Sequence, residues 1–134
     1  MNDDAVILEM LRSSRTIAVV GLSGKRLRPS HGVSAYMQRQ GYRIVPVNPA
    51  ETEVLGEKAF GTLGEVPESI DMVNVFRTSD AVPGIVDEAI AKGARYLWLQ
   101  EGVVHEAAAE KARAAGIKVV MDRCVLKEHQ RLML

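Results

Sequence analysis

Apolar, β-branched runs alternate with helical stretches along this chain, and that rhythm narrows the choice of fold more than any single motif. The runs begin at residues 16, 42, 70, 95 and 117. Each is nearly continuous in apolar residues, as strands covered on both faces are. Between them lie segments with helical spacing, such as Val82, Ile85, Val86, Ala89 and Ile90. Strand and helix in alternation predict βαβ units with right-handed crossovers, and so an α/β fold with an open, doubly wound parallel sheet of about five strands. The expected strand order is 3-2-1-4-5, and ligands on such a sheet bind beyond the carboxyl ends of its strands, where the order reverses.

The predicted elements are a helix over 3–13 with Asp3 or Asp4 as its cap, and strands over 16–21, 42–47, 70–76, 95–99 and 117–120. Ser30 is the expected N-cap of a helix running to about Gln40, which Gly41 stops. Ser79 or Asp80 caps the helix after strand three, an alanine-rich helix spans 104–115, and a last helix follows Asp122. Residues 50–68, broken by glycine and proline, read as less regular, around a short strand and one helical turn. Four segments reach the binding edge: 21–30, 48–51, 76–80 and 100–103. No linker, repeat or low-complexity stretch divides the chain, so residues 1–134 read as one Rossmann-like domain.

The first of those segments carries the most chemistry. Strand one stops at Gly21, and Leu22, Ser23 and Gly24 lead into Lys25, Arg26 and Arg28 before the helix entry at Pro29 and Ser30. Glycine lets a backbone approach an anion, loop and helix N–H groups point at it, and the helix dipole favours negative charge. Three cations in four residues point to a phosphorylated, nucleotide-like ligand; the alternative is a solvated basic turn. Lys+Arg and Asp+Glu both number 17, which argues against general nucleic-acid binding yet leaves room for a local basic pocket. Cys124 is the only cysteine, so no internal disulfide can form. No charged-then-apolar leader pattern and no membrane-length apolar run occur, and the expected location is cytoplasmic.

A dinucleotide such as NAD is disfavoured. Ser23 and Arg26 stand at the second and third glycine positions of the G-x-G-x-x-G fingerprint, and Asn48-Pro49 holds the place of the ribose-binding acid. Other carriers are Val20-Gly21-Leu22-Ser23, Arg28-Pro29-Ser30, Pro46-Val47-Asn48-Pro49, Val75-Phe76-Arg77, Trp98-Leu99-Gln100-Glu101-Gly102 and Met121-Asp122-Arg123-Cys124. With this set the chain resembles the stand-alone CoA-binding proteins, which look like the CoA-binding domain of the succinyl-CoA synthetase α-subunit. The resemblance implies binding of CoA or an acyl-CoA without catalysis, because the ligase's phosphohistidine domain and nucleotide-grasping subunit are absent. It sets Ser23 to Arg26 against the CoA phosphates, Asn48 and Pro49 beside the ribose, and Phe76, Arg77 and Thr78 at the adenine end. Glu51 stands where the ligase has a lysine, so that contact is lost or replaced, with Arg28 or Lys25 as substitutes. Against the resemblance stands a second reading, a small enzyme or redox sensor using NAD(P) or another adenine nucleotide. A third, an interaction module whose loop binds only backbone phosphate, is the weakest at zero net charge.

The remaining chemistry-bearing residues divide between site and scaffold. Gln100 and Gly102 fall on the binding edge and are site candidates, whereas Trp98 reads as core. Cys124 reads first as a small buried hydrophobe. Its functional alternative is a thiol that meets the CoA thiol, with Arg123 favouring the thiolate. Asp122 and Arg123 read as an ion pair. His31, near the loop, could touch the ligand or lie on the surface; with His105 and His129 it shows no zinc-ligand spacing. The composition names no protein partner.

Overall fold

The computed structural model describes residues 3–134. Helix α1, Asp4–Ser13, starts where the Asp3 carboxylate accepts from Ala5 N (2.8 Å) and buries Ile7, Met10 and Leu11. Strand β1, Thr16–Val20, leads through the glycine loop into α2, Pro29–Arg39, and β2, Arg43–Val47. A small hairpin, β3 Glu53–Val54 and β4 Glu57–Lys58, and a 3-10 turn, Leu63–Glu65, precede β5, Met72–Val75. Then come a 3-10 turn, Ser79–Ala81, and α3, Val82–Lys92, which Gly93 ends in the left-handed conformation glycine adopts without strain. Strand β6, Tyr96–Leu99, α4, Glu106–Ala114, β7, Lys118–Val120, and α5, Val125–Met133, complete the chain.

Five parallel strands form one sheet in the order β2-β1-β5-β6-β7. The fold class is the expected Rossmann-like one, but the expected order is corrected: counting the five strands in chain order, it runs 2-1-3-4-5. Two features of β2 explain the difference. Phe60 N donates to Pro46 O (3.0 Å) and Asn48 N to Phe60 O (2.8 Å), so an extended stretch already occupies the outer side of β2. Pro46 lies within β2 and has no N–H, which confines such a strand to a sheet edge. Strand β5 therefore pairs with β1 instead.

Alternating side chains divide the core into two layers. Ala18, Val20, Val73 and Val75 face α3 and α4, while Ile17, Val19, Met72 and Trp98 face α1, α2 and α5. Trp98 is wholly buried, as expected, and its Nε1 donates to Arg123 O (2.9 Å). Near α5, His129 Nδ1 shares a hydrogen bond with Tyr36 OH (2.8 Å), and the rings of Tyr36 and Tyr42 meet it edge-on. Burial holds the His129 pKa below its ordinary value near 6.5.

The N-terminal ends of the strands are tied by charge. Asp71 accepts from Arg15 N (2.8 Å) and Thr16 N (3.0 Å) and pairs with Arg95 (3.2 Å). Burial raises the Asp71 pKa, but the two N–H groups and Arg95 outweigh it and leave the carboxyl below its usual range. Arg43 sits between Glu57 and Glu68, at 2.7 Å from each, and Lys118 meets Glu9 at 2.6 Å.

Candidate functional site

With β2 on one side of β1 and β5 on the other, the strand order reverses beside β1, and a crevice opens beyond its carboxyl end. Gly21 stands there at φ +89°, and its N–H donates to Val47 O (2.8 Å). A Cβ at Gly21 would lie 2.5 Å from Phe76 O, so any side chain would collide with backbone as well as adopt a strained φ. The glycine lets the ends of β1 and β5 come together.

Beyond it the loop is fastened at four points. Ser23 N donates to Ser30 Oγ (3.0 Å), Lys25 N to Ser23 Oγ (3.0 Å), and Gly24 N to the Glu51 carboxylate (2.8 Å). Asn48 Nδ2 donates to Leu22 O (3.1 Å), and Leu22 itself is buried. Two expectations change here. Helix α2 begins at Pro29 with Arg28 in the cap position, so Ser30 lies inside the first turn and spends its hydroxyl on the loop. The amides of Ser23, Gly24 and Lys25 already have protein acceptors. The loop thus presents an anion chiefly with side-chain charge: Lys25, Arg26 and Arg28 are exposed and make no ion pair among the described residues.

Two clefts flank this point. One, about 430 Å³, is bounded by Ser23, Arg28 and Ser30 on the loop side and by Phe76, Gln100 and Cys124 beyond β5. The other, about 480 Å³, lies on the β2 side and includes Asn48, Pro49, Thr62 and Glu88. Gly21 and Arg77 line both clefts and form the wall between them. The predicted residues Leu22, Gly24, Lys25, Arg26, Thr78 and Gly102 line neither. His31 is half-buried on α2 and lines neither as well.

Among the lining residues that sequence reasoning missed are Val33, Glu101 and Val103 in the first cleft and Gly61, Thr62 and Glu88 in the second. Val33 stands on α2 just past its first turn, and Val103 lies in a segment expected to reach the edge. Thr62 and Glu88 gave no local signal: the place of Thr62 depends on how the 50–70 segment folds back beside β2, and that of Glu88 on how α3 packs against the sheet.

The far rim differs from expectation in its pairings. Asp122, at φ +59°, accepts from Gly102 N (2.7 Å), and the Arg123 guanidinium turns to Glu128 (3.6 Å); the two neighbours are not an ion pair. Arg123 is therefore engaged away from the Cys124 thiol. Cys124 is buried, as its bland reading requires, yet it also lines the first cleft. Ser79 caps no α-helix: its hydroxyl accepts from Val104 N (3.0 Å), binding the turn after β5 to the loop after β6. Instead α4 is capped by His105, whose Nδ1 accepts from Ala108 N (3.1 Å).

Known proteins place this architecture. The chain is 46% identical over 125 residues, 93% of each partner, to the uncharacterized protein YneT of Bacillus subtilis. A solved structure of a hypothetical protein from Pyrococcus horikoshii superposes with a TM-score of 0.96 at 36% identity, covering 99% of this chain and 94% of that one. The ADP-forming acetate–CoA ligase I α-subunit of Pyrococcus furiosus is 26% identical over 129 residues, which is 84% of this chain but 28% of the subunit. The chain thus spans well under a third of that ligase subunit. A family model described as a CoA binding domain matches residues 15–130, and the chain belongs to that family.

Proposed function

We propose that residues 1–134 form one unit that binds CoA or an acyl-CoA across the two clefts, without catalysis of its own. The observation that carries this is a set of cations at this edge, with Arg28 lining the first cleft, Arg77 lining both, and Lys25 and Arg26 on the adjoining loop. Lys25, Arg26, Arg28 and Arg77 are exposed and make no ion pair among the described residues. The 3′-phospho-ADP part of CoA carries roughly four negative charges at neutral pH. Four cations match it, and arginine grips phosphate bidentately.

In this reading Ser23 to Arg26 and Arg28 meet the phosphates, Asn48 and Pro49 border the ribose, and Phe76, Arg77 and Thr78 flank the adenine. Gly21, Leu22, Gly24 and Ser30 shape the loop. Gln100 and Gly102 stand along the pantetheine arm, with Cys124 at the thiol end. A single cysteine and the lack of a long apolar run support a cytoplasmic location. Among the described residues no helix is long and apolar enough to cross a membrane.

Calorimetric titration with CoA, NAD and NADP tests the reading. CoA should bind most tightly, because the acid that would grip the NAD ribose is replaced by Asn48-Pro49. NAD binding as tight as CoA binding would overturn it in favour of the adenine-nucleotide enzyme or redox sensor.

A further inference from the structure

Among the loop amides that already have acceptors, Gly24 N is set apart. Ser23 N and Lys25 N donate to the hydroxyls of Ser30 and Ser23, neutral groups within the first turn of α2 and the loop itself. Gly24 N donates instead to a carboxylate, Glu51 Oε2 at 2.8 Å, which reaches over from the turn after β2. Glu51 forms no salt bridge among the described residues, although Lys25, Arg26 and Arg28 belong to the loop it touches. A carboxylate and a phosphate make the same charged hydrogen bond to an amide, so Glu51 holds a position that suits an anion. The lack of a side chain at Gly24 admits it: a Cβ there would lie 2.9 Å from Glu51 Oε1.

The contact can open without dismantling the turn that carries it. Glu51 N donates to Asn48 O (3.1 Å), Ala50 N to Asn48 Oδ1 (3.0 Å), and Asn48 Nδ2 to Leu22 O (3.1 Å). Those bonds hold the backbone of the turn and join it to the loop, so only the flexible Glu51 side chain needs to swing aside. Gly24 is exposed and Glu51 half-buried, which leaves the amide within reach of a ligand. We propose that the Glu51 carboxylate is an autoinhibitory stand-in for a phosphate: it occupies the Gly24 amide in the free protein, and a phosphate of the ligand displaces it. While in place, its charge also repels the approaching anion. Glu51 thereby holds the affinity for phosphorylated ligands below what the cationic loop alone would give. This rests on the CoA reading above and names a residue that tunes the loop side of the same site.

The test titrates CoA and dephospho-CoA, which lacks the 3′-phosphate, into the wild-type protein, Glu51→Gln and Glu53→Gln. Glutamine keeps an acceptor for Gly24 N but removes the charge, so the loop stays fastened by a weaker bond that a phosphate replaces more readily. Glu53 is exposed on β3, and its substitution removes the same charge nearby without touching the amide. Affinity of Glu51→Gln should rise about five-fold at low salt, with a smaller gain in Glu53→Gln. A gain for CoA alone assigns the 3′-phosphate to the Gly24 amide; a gain for both ligands assigns the diphosphate; either upholds the proposal. Wild-type binding of CoA that Glu51→Gln leaves unchanged or weakens, or an equal gain in Glu53→Gln, overturns the proposal alone. Wild-type and Glu51→Gln proteins that both bind neither ligand overturn the CoA reading and the proposal together. Should Glu51→Gln fail to fold, the wild-type protein carries the test: the Gly24 amide NMR resonance should shift on saturation with CoA as its acceptor changes, and a resonance that stays in place overturns the displacement.

Discussion

At the N-terminal ends of the strands, Asp71, Arg43 and Lys118 are matched by partners within the protein. At the carboxyl ends, Arg28 and Arg77 form no salt bridge among the described residues. Both edges carry strong polar groups; one consumes them internally and the other holds them in reserve. Matched groups hold strands in place, whereas unmatched groups contribute little to the free protein and wait for a ligand to complete them.

That contrast can be broken by substitutions that move stability and binding separately. Asp71→Ala strands the amides of Arg15 and Thr16 and should lower unfolding free energy by about 2 kcal/mol in urea denaturation, with CoA affinity unchanged. A parallel loss of CoA affinity would mean that the two edges are not independent. Arg28→Ala and Arg26→Ala should do the reverse: CoA binding weakens about ten-fold, while the urea midpoint stays put. If both variants bind CoA normally, the loop is only a solvated basic turn.

The smallest effect comes from the interior beneath α5. Because the His129 pKa is lowered on folding, the unfolded chain binds more protons below its ordinary value near 6.5. Stability should therefore fall as pH drops through that value toward the folded pKa, by a few degrees in melting temperature between about pH 7.5 and 5.5. Asp71 and Glu68 have lowered pKa values too, with ordinary values of 3.8 and 4.5, so their contributions are lost only as pH falls further. A His129→Gln variant should flatten the slope in the upper window and leave CoA affinity alone; an unchanged slope would place the titration elsewhere.

Much of this molecule was legible from its sequence. Strand and helix positions followed from periodicity and glycine stops, and Gly21, Arg28, Phe76 and Gln100 fell on one edge because parallel strands put them there. Sheet order was not read correctly, although Pro46 inside the second run carried the signal that this strand is an edge. Pairings across the chain were harder. Ser30 looked like a cap because serine caps many helices, but its use by Ser23 N depends on how the loop folds back. Asp122 and Arg123 looked paired because they are adjacent, and each instead found a partner set by tertiary packing. The carboxamide of Gln100 spans to α5, 25 residues away, at a range no local pattern encodes.

The rims of the sheet also bear on how such a unit travels between proteins. A sheet with a bare strand at its side recruits another strand, from a second molecule or a fusion partner. Here one rim is β2, its outer groups engaged by Phe60 and lacking an N–H at Pro46, and the other is β7, three residues long and opening on a lysine. Neither offers a long, continuous template. A sheet that terminates itself can be spliced beside other domains without merging into their sheets or polymerising with its own copies.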